Sequence, residues 1–105
     1  MRPRQEQVDQ FVRRIVEEVQ PLKIILFGSA VRGEMGPDSD VDVLVVMPEG
    51  THPRHTAEHL HQHLFGLQLG ADILVATPSD LERHRDKVGL IYHEILKEGR
   101  EIYTA

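Results

Sequence analysis

Apolar residues recur along the chain at two different periods, and the switches between them lay out an order of helices and strands. Val8, Phe11, Val12, Ile15, Val16 and Val19 fall three and four residues apart with charges between them. This spacing predicts an amphipathic helix over residues 5–19, ended by Pro21. Residues 22–27 are short, β-branched in Ile24 and Ile25 and stopped by Gly28, which favours a buried strand followed by a turn and a short helix. Residues 34–40 collect glycine, proline, aspartate and serine and read as a loop. Residues 41–47 are apolar apart from Asp42, as expected of a central strand covered on both faces, and Pro48, Glu49 and Gly50 close it. Ala57, Leu60, Leu64 and Leu67 form one helical stripe from about Arg54 to Leu67, weakened by Gly66 and Gly70. Residues 72–76 are a third strand, and Thr77, Pro78, Ser79 and Asp80 look like the start of a short helix reaching about His84. Val88, Ile91, Tyr92, Ile95 and Leu96 give a last amphipathic helix ended by Gly99, with Ile102 and Tyr103 in a short edge strand.

This order belongs to a small mixed α/β (α+β) domain of two layers, a mixed sheet with helices packed on it. The 105 residues suit a single domain over 1–105, and no internal repeat or linker interrupts them. Hydrophobic content of 40% and charged content of 28% are ordinary for a soluble protein, while aromatics at 5% leave the core to aliphatics. The absence of cysteine excludes disulfides, thiolate-bound zinc and a cysteine nucleophile. The first residues run into charged sequence and no segment approaches the length of a bilayer span, so the expectation is a cytoplasmic protein with no membrane contact. A formal net charge of −5 argues against an extended nucleic-acid surface but leaves room for a small phosphate site.

The chemistry concentrates where strands end. Gly28 and Ser29 stand between a strand and an expected helix, where glycine permits close backbone approach and helix amides point at an anion. The Ser29 hydroxyl can donate to a phosphate oxygen, and Arg32, three residues on, can add a fork of donors before Gly33. Taken alone, Gly28 and Ser29 fit a tight turn with a capping serine equally well, and Arg32 alone fits a solvated surface position. Asp40 and Asp42 alter that balance. They sit two apart at the opening of an apolar strand, so the pleat sends both carboxylates to one face. Held that close they repel unless a cation lies between them, and oxygen ligands of this kind suit Mg2+ or Mn2+ beside substrate phosphates. Asp40 also fits an ordinary loop acid, whereas a charge within a buried strand, as at Asp42, is costly without a partner. Asp72 opens the next apolar strand; alone it is an ordinary strand-start residue, but beside the pair it becomes a third converging acid if the two strands are neighbours.

The stretch Gly28-Ser29-Ala30-Val31-Arg32-Gly33, then Ser39-Asp40-Val41-Asp42, then Asp72, resembles the signature of the DNA polymerase beta-like nucleotidyltransferase superfamily. In length and in the stretch from Pro37 to Asp42 the chain is most similar to the minimal nucleotidyltransferases, the MNT antitoxins of HEPN/MNT toxin–antitoxin pairs. The resemblance spans about residues 5–103, and its sharp motif lies at 28–42 and 72. It implies the polymerase beta-like nucleotidyltransferase fold. It also implies that Gly28, Ser29, Arg32 and Ser39 hold the triphosphate of ATP, that Asp40 and Asp42 ligate Mg2+, and that Asp72 shares a metal and helps deprotonate the acceptor. Two ions together activate the hydroxyl and stabilise the leaving pyrophosphate in such chemistry. Larger relatives carry further domains for base and acceptor, so the acceptor surface is expected from a partner or a second copy, leaving a homo-oligomer open. The implied activity is transfer of AMP to a hydroxyl on an HEPN-domain toxin, which it would neutralise. A non-catalytic antitoxin acting by complex formation and a small-molecule adenylyltransferase are the rivals.

Seven histidines stand apart from this motif, with His52, His55, His59, His61 and His63 crowded into one region. On a helix His55, His59 and His63 share a face, which could place two imidazoles on one zinc. No fixed carboxylate or cysteine completes the set, although Glu58 is nearby, and a solvated helix face or a partner interface accounts for the same pattern. The basic stretch from Arg83 to Lys87 reads as a solvated helix end.

Overall fold

The computed structural model describes residues 3–28, 41–64, 71–84 and 91–105. The first helix, α1, runs Pro3–Val19. Gln20 follows it at φ 51°, its amide donating to the Val16 carbonyl at 3.0 Å, and Pro21 then bars any continuation. The chain enters β1 (Lys23–Phe27), and further on β2 (Val41–Val46). Next come α2 (Pro53–Leu64), β3 (Ala71–Ala76), α3 (Pro78–His84), α4 (Ile91–Glu98) and β4 (Arg100–Thr104). The expected elements therefore form within a few residues of their expected bounds. The turn and short helix after β1, the 34–40 loop, the tail of α2 beyond Leu64 and the residues just before α4 lie outside the described residues.

The four strands form one mixed sheet in the order β3-β2-β1-β4. β1 pairs antiparallel with β2 on one side and with β4 on the other, while β2 and β3 run parallel. A parallel pair requires a crossover, and α2 supplies it. β4 extends further than Ile102 and Tyr103 alone, and at its end Lys23 on β1 meets Glu101 at 2.9 Å. The Lys23 ammonium, by hydrogen bond and by charge, holds the Glu101 carboxyl below its ordinary value.

Helices cover both faces, making three layers where the order of elements led to two. The reason lies in β2, which is buried along nearly its whole length. Its odd positions, Val41, Val43 and Val45, pack with Phe11 and Ile15 of α1 and with Leu60 and Leu64 of α2. Its even positions, Leu44 and Val46, pack with Ile25, Ala76 and Ile95, against which Phe27, Leu74 and Leu81 of α3 also lie. A strand apolar on both sides leaves each face needing its own cover. At the start of α3 the amide of Thr77 donates to Asp80 Oδ2 at 3.1 Å and the amide of Asp80 to Thr77 Oγ1 at 3.3 Å. The Thr-Pro-Ser-Asp stretch thus starts a helix as expected, and the two bonds make it a reciprocal capping box. Among the described residues no helix is long and apolar enough to cross a membrane.

Candidate active site

The parallel register of β2 and β3 sets Asp42 directly opposite Asp72. Residues paired across a ladder point to the same face, so these two carboxylates stand side by side at the edge where both strands begin. Across the antiparallel side of β2, Asp42 pairs with Phe27, the last residue of β1. Three strand ends thus meet at one place. By the alternation along β2, Asp42 shares a face with Leu44 and Val46, the face covered by α3 and α4. Asp42 is half-buried there and Asp72 is exposed.

Gly28, the residue after β1, lies against this pair. Its φ of 76° is in the left-handed region, and a Cβ added there would run into Oδ2 of Asp42. Only glycine satisfies both the backbone conformation and the close approach of the carboxylate. Beside Gly28 opens a hollow of about 300 Å³, lined by Phe27, Gly28, Glu94, Ile95 and Glu98. Glu94 and Glu98 are exposed on successive turns of α4. Sequence reading did not single them out, because two acids on the polar side of an amphipathic helix carry no signal that they border another element's turn.

Of the residues expected to act, the structure brings together Gly28, Asp42 and Asp72. Ser29, Arg32, Ser39 and Asp40 lie outside the described residues. The donor set formed by Asp42 and Asp72 is all oxygen, half-buried at Asp42 and exposed at Asp72. It fits a hard divalent cation such as Mg2+ or Mn2+, which takes one or two carboxylates and completes its shell with water and phosphate oxygens.

Over residues 8–103 the chain matches the nucleotidyltransferase domain family. It belongs to that family. The nucleotidyltransferase domain is similar in fold to a candidate nucleotidyltransferase of Sulfolobus solfataricus, with a TM-score of 0.64 and 17% identity, covering 94% of this chain and 78% of that one. It is also similar to a toxin–antitoxin structure with AMP-PNP, at TM-score 0.64 and 17% identity over 97% of this chain and 74% of the other. A third similarity is to a mutant of the MntA–HpeT toxin–antitoxin pair bearing two aspartate-to-glutamate changes spaced two residues apart. There the TM-score is 0.60 and the identity 15%, over 95% of this chain and 73% of that one. Identities this low speak for a shared fold. No curated protein matches the chain by sequence. The four-stranded fold is thus one this chain shares with nucleotidyltransferase and toxin–antitoxin structures, assembled here almost entirely from aliphatic packing.

Proposed function

We propose that this nucleotidyltransferase domain transfers AMP from ATP to a hydroxyl on a protein partner, and that it serves as the antitoxin of a toxin–antitoxin pair in the cytoplasm. One observation carries the reading: Asp42 stands opposite Asp72 with Gly28 against it, on a chain of the nucleotidyltransferase domain family. The partner rests on the fold shared with toxin–antitoxin structures, one of them with the ATP analogue AMP-PNP. An HEPN-domain toxin is the partner that the sequence resemblance implies.

In this reading Gly28 opens the backbone towards the triphosphate, and Ser29, Arg32 and Ser39 donate to its oxygens. Asp40, Asp42 and Asp72 hold Mg2+, two ions at once in the full site, with Mn2+ able to substitute. When bound, the ions lower the pKa of the attacking hydroxyl and offset the charge on the departing pyrophosphate. Asp72, the more exposed of the two described acids, takes the acceptor's proton as its oxygen attacks the α-phosphorus in line. The bond between the α-phosphorus and the bridging oxygen to the β-phosphate breaks, and pyrophosphate leaves with that electron pair. No covalent enzyme intermediate is involved. The acceptor is supplied from outside the domain, by the partner or across a homo-oligomer.

The test is the mass of the neighbouring gene's product after incubation with this chain, ATP and Mg2+. A gain of one adenylate with the native chain, lost with Asp42→Ala, is expected. Full neutralisation of the toxin by Asp40→Ala/Asp42→Ala, with no mass gain from the native chain, would replace the enzyme by an antitoxin acting through complex formation alone.

A further inference from the structure

Across the sheet from the carboxylate edge, α1 and α2 pack side by side through Phe11, Ile15, Leu60 and Leu64. Glu18 is three residues beyond Ile15, on the same side of α1 one turn along, and His59 is next to Leu60. The apolar contact therefore brings these two polar side chains together at its rim. His59 Nε2 and Glu18 Oε1 are 2.9 Å apart, with both residues half-buried.

His63 lies one turn further along α2, its ring stacked on that of His59 with centroids 4.0 Å apart. Its Nδ1 is 2.8 Å from the carbonyl oxygen of His59. A carbonyl can only accept, so His63 Nδ1 carries the proton, and the lone pair of the neutral ring is on Nε2. Metal-binding histidines are oriented in this way, one ring nitrogen donating to a backbone carbonyl and the other left for the ion. One ligand atom each from Glu18, His59 and His63 lies within 4.8 Å of the other two.

We propose that Glu18, His59 and His63 form a second cation site, for Zn2+ or a closely related first-row ion, which ties α1 to α2. Two imidazoles and a carboxylate are a zinc donor set with a fourth position left open, and the exposure of His63 turns that position towards solvent. A tetrahedral ion with bonds of about 2.0–2.2 Å sets its donors roughly 3.3 Å apart. The Glu18–His59 pair is already near that separation, and rotation of side chains brings in the third donor. Imidazole ligands disfavour Mg2+, so this site and the aspartate edge select different ions.

The other stacked pair, His52 and His55, is differently employed: His52 Nδ1 accepts the amide hydrogen of His55 at 3.3 Å, which caps the start of α2. Among the described residues no carboxylate joins that pair in a ligand group. His55 keeps its place on the same helix face but stays outside the ligand group, and Glu18 of another helix, rather than Glu58, supplies the acid.

The experiment titrates the purified chain with Zn2+ in excess Mg2+ by calorimetry, and with Co2+ by visible absorption. One equivalent of zinc and a cobalt band of low coordination number are expected. Affinity should fall at least tenfold in His63→Ala and in Glu18→Gln, and stay at the native value in His52→Ala/His55→Ala. His63 is exposed, so its variant keeps the fold, and circular dichroism verifies this. Zinc binding of native strength in His59→Ala/His63→Ala, or none in the native chain, would overturn the site. Neither result bears on nucleotide transfer, which needs none of these three residues.

Discussion

Two regions of this molecule gather ligand atoms, and they lie on opposite faces of the same sheet. At the β2–β3 edge, Asp42 and Asp72 are brought together by a ladder of backbone hydrogen bonds, so their adjacency is independent of side-chain packing. At the α1–α2 rim, Glu18, His59 and His63 meet because two helices pack through large aliphatic side chains. The first is a fixed oxygen site beside a glycine that admits no side chain. The second is nitrogen-rich, hinged on rotamers and open to water. A backbone-built oxygen pair suits chemistry on a phosphate, where misplacement by an ångström costs rate. A rotamer-built nitrogen site suits a clamp whose effect is measured in stability.

Breaking the first region should abolish transfer and leave the second untouched. Asp42→Ala is expected to lower transfer at least about 10³-fold, since on the proposed function it removes a cation ligand and with it several kcal/mol of transition-state stabilisation. Zinc binding should be unaffected in the same protein, as read by calorimetry. Asp72→Asn keeps the volume but loses the proton acceptor, and the rate should fall about 10²-fold or more. Gly28→Ala acts through the backbone: the left-handed φ and the crowding of Asp42 should destabilise the fold by about 1–3 kcal/mol in denaturant titration. Transfer should drop further than that loss of folded protein explains.

Breaking the second region should leave transfer unchanged. In the native chain Zn2+ should raise the thermal midpoint, by an amount worth about 2.7 kcal/mol at a hundred times its dissociation constant. Glu18→Gln should lose most of that rise. The smallest effect is expected at a site neither region uses. Lys23 holds the Glu101 carboxyl below its ordinary value of 4.5, so the pair's contribution is present above that pH and fades as acid carries the pH through the lowered value. Glu101→Gln should be slightly less stable than the native chain at neutral pH, and the two should converge in acid.

The same contrast governs how much could be read from the chain alone. Asp42 and Asp72 each open an apolar strand, and a period of two together with the expectation that the strands are neighbours is enough to bring them side by side. Gly28 stood out as a strand stop, although its contact with Asp42 needed the antiparallel register of β1 and β2 to become visible. Histidines four apart on α2 were equally legible as a face. Glu18 was not, because it is 41 residues from His59 and only the shared core of Phe11 and Ile15 with Leu60 and Leu64 determines which side of α1 meets which side of α2. The third layer was missed for a related reason: an apolar strand announces that both faces are covered, but not which helices cover them.

The central claim is nucleotidyl transfer at the Asp42–Asp72 edge, and ATP labelled at either the α- or the γ-phosphate tests it most directly. With the native chain, Mg2+ and the partner, the α-label should pass to the partner and the γ-label should leave as pyrophosphate, both events lost in Asp42→Ala. A γ-label on the partner, or α-label transfer that survives Asp42→Ala, would contradict it.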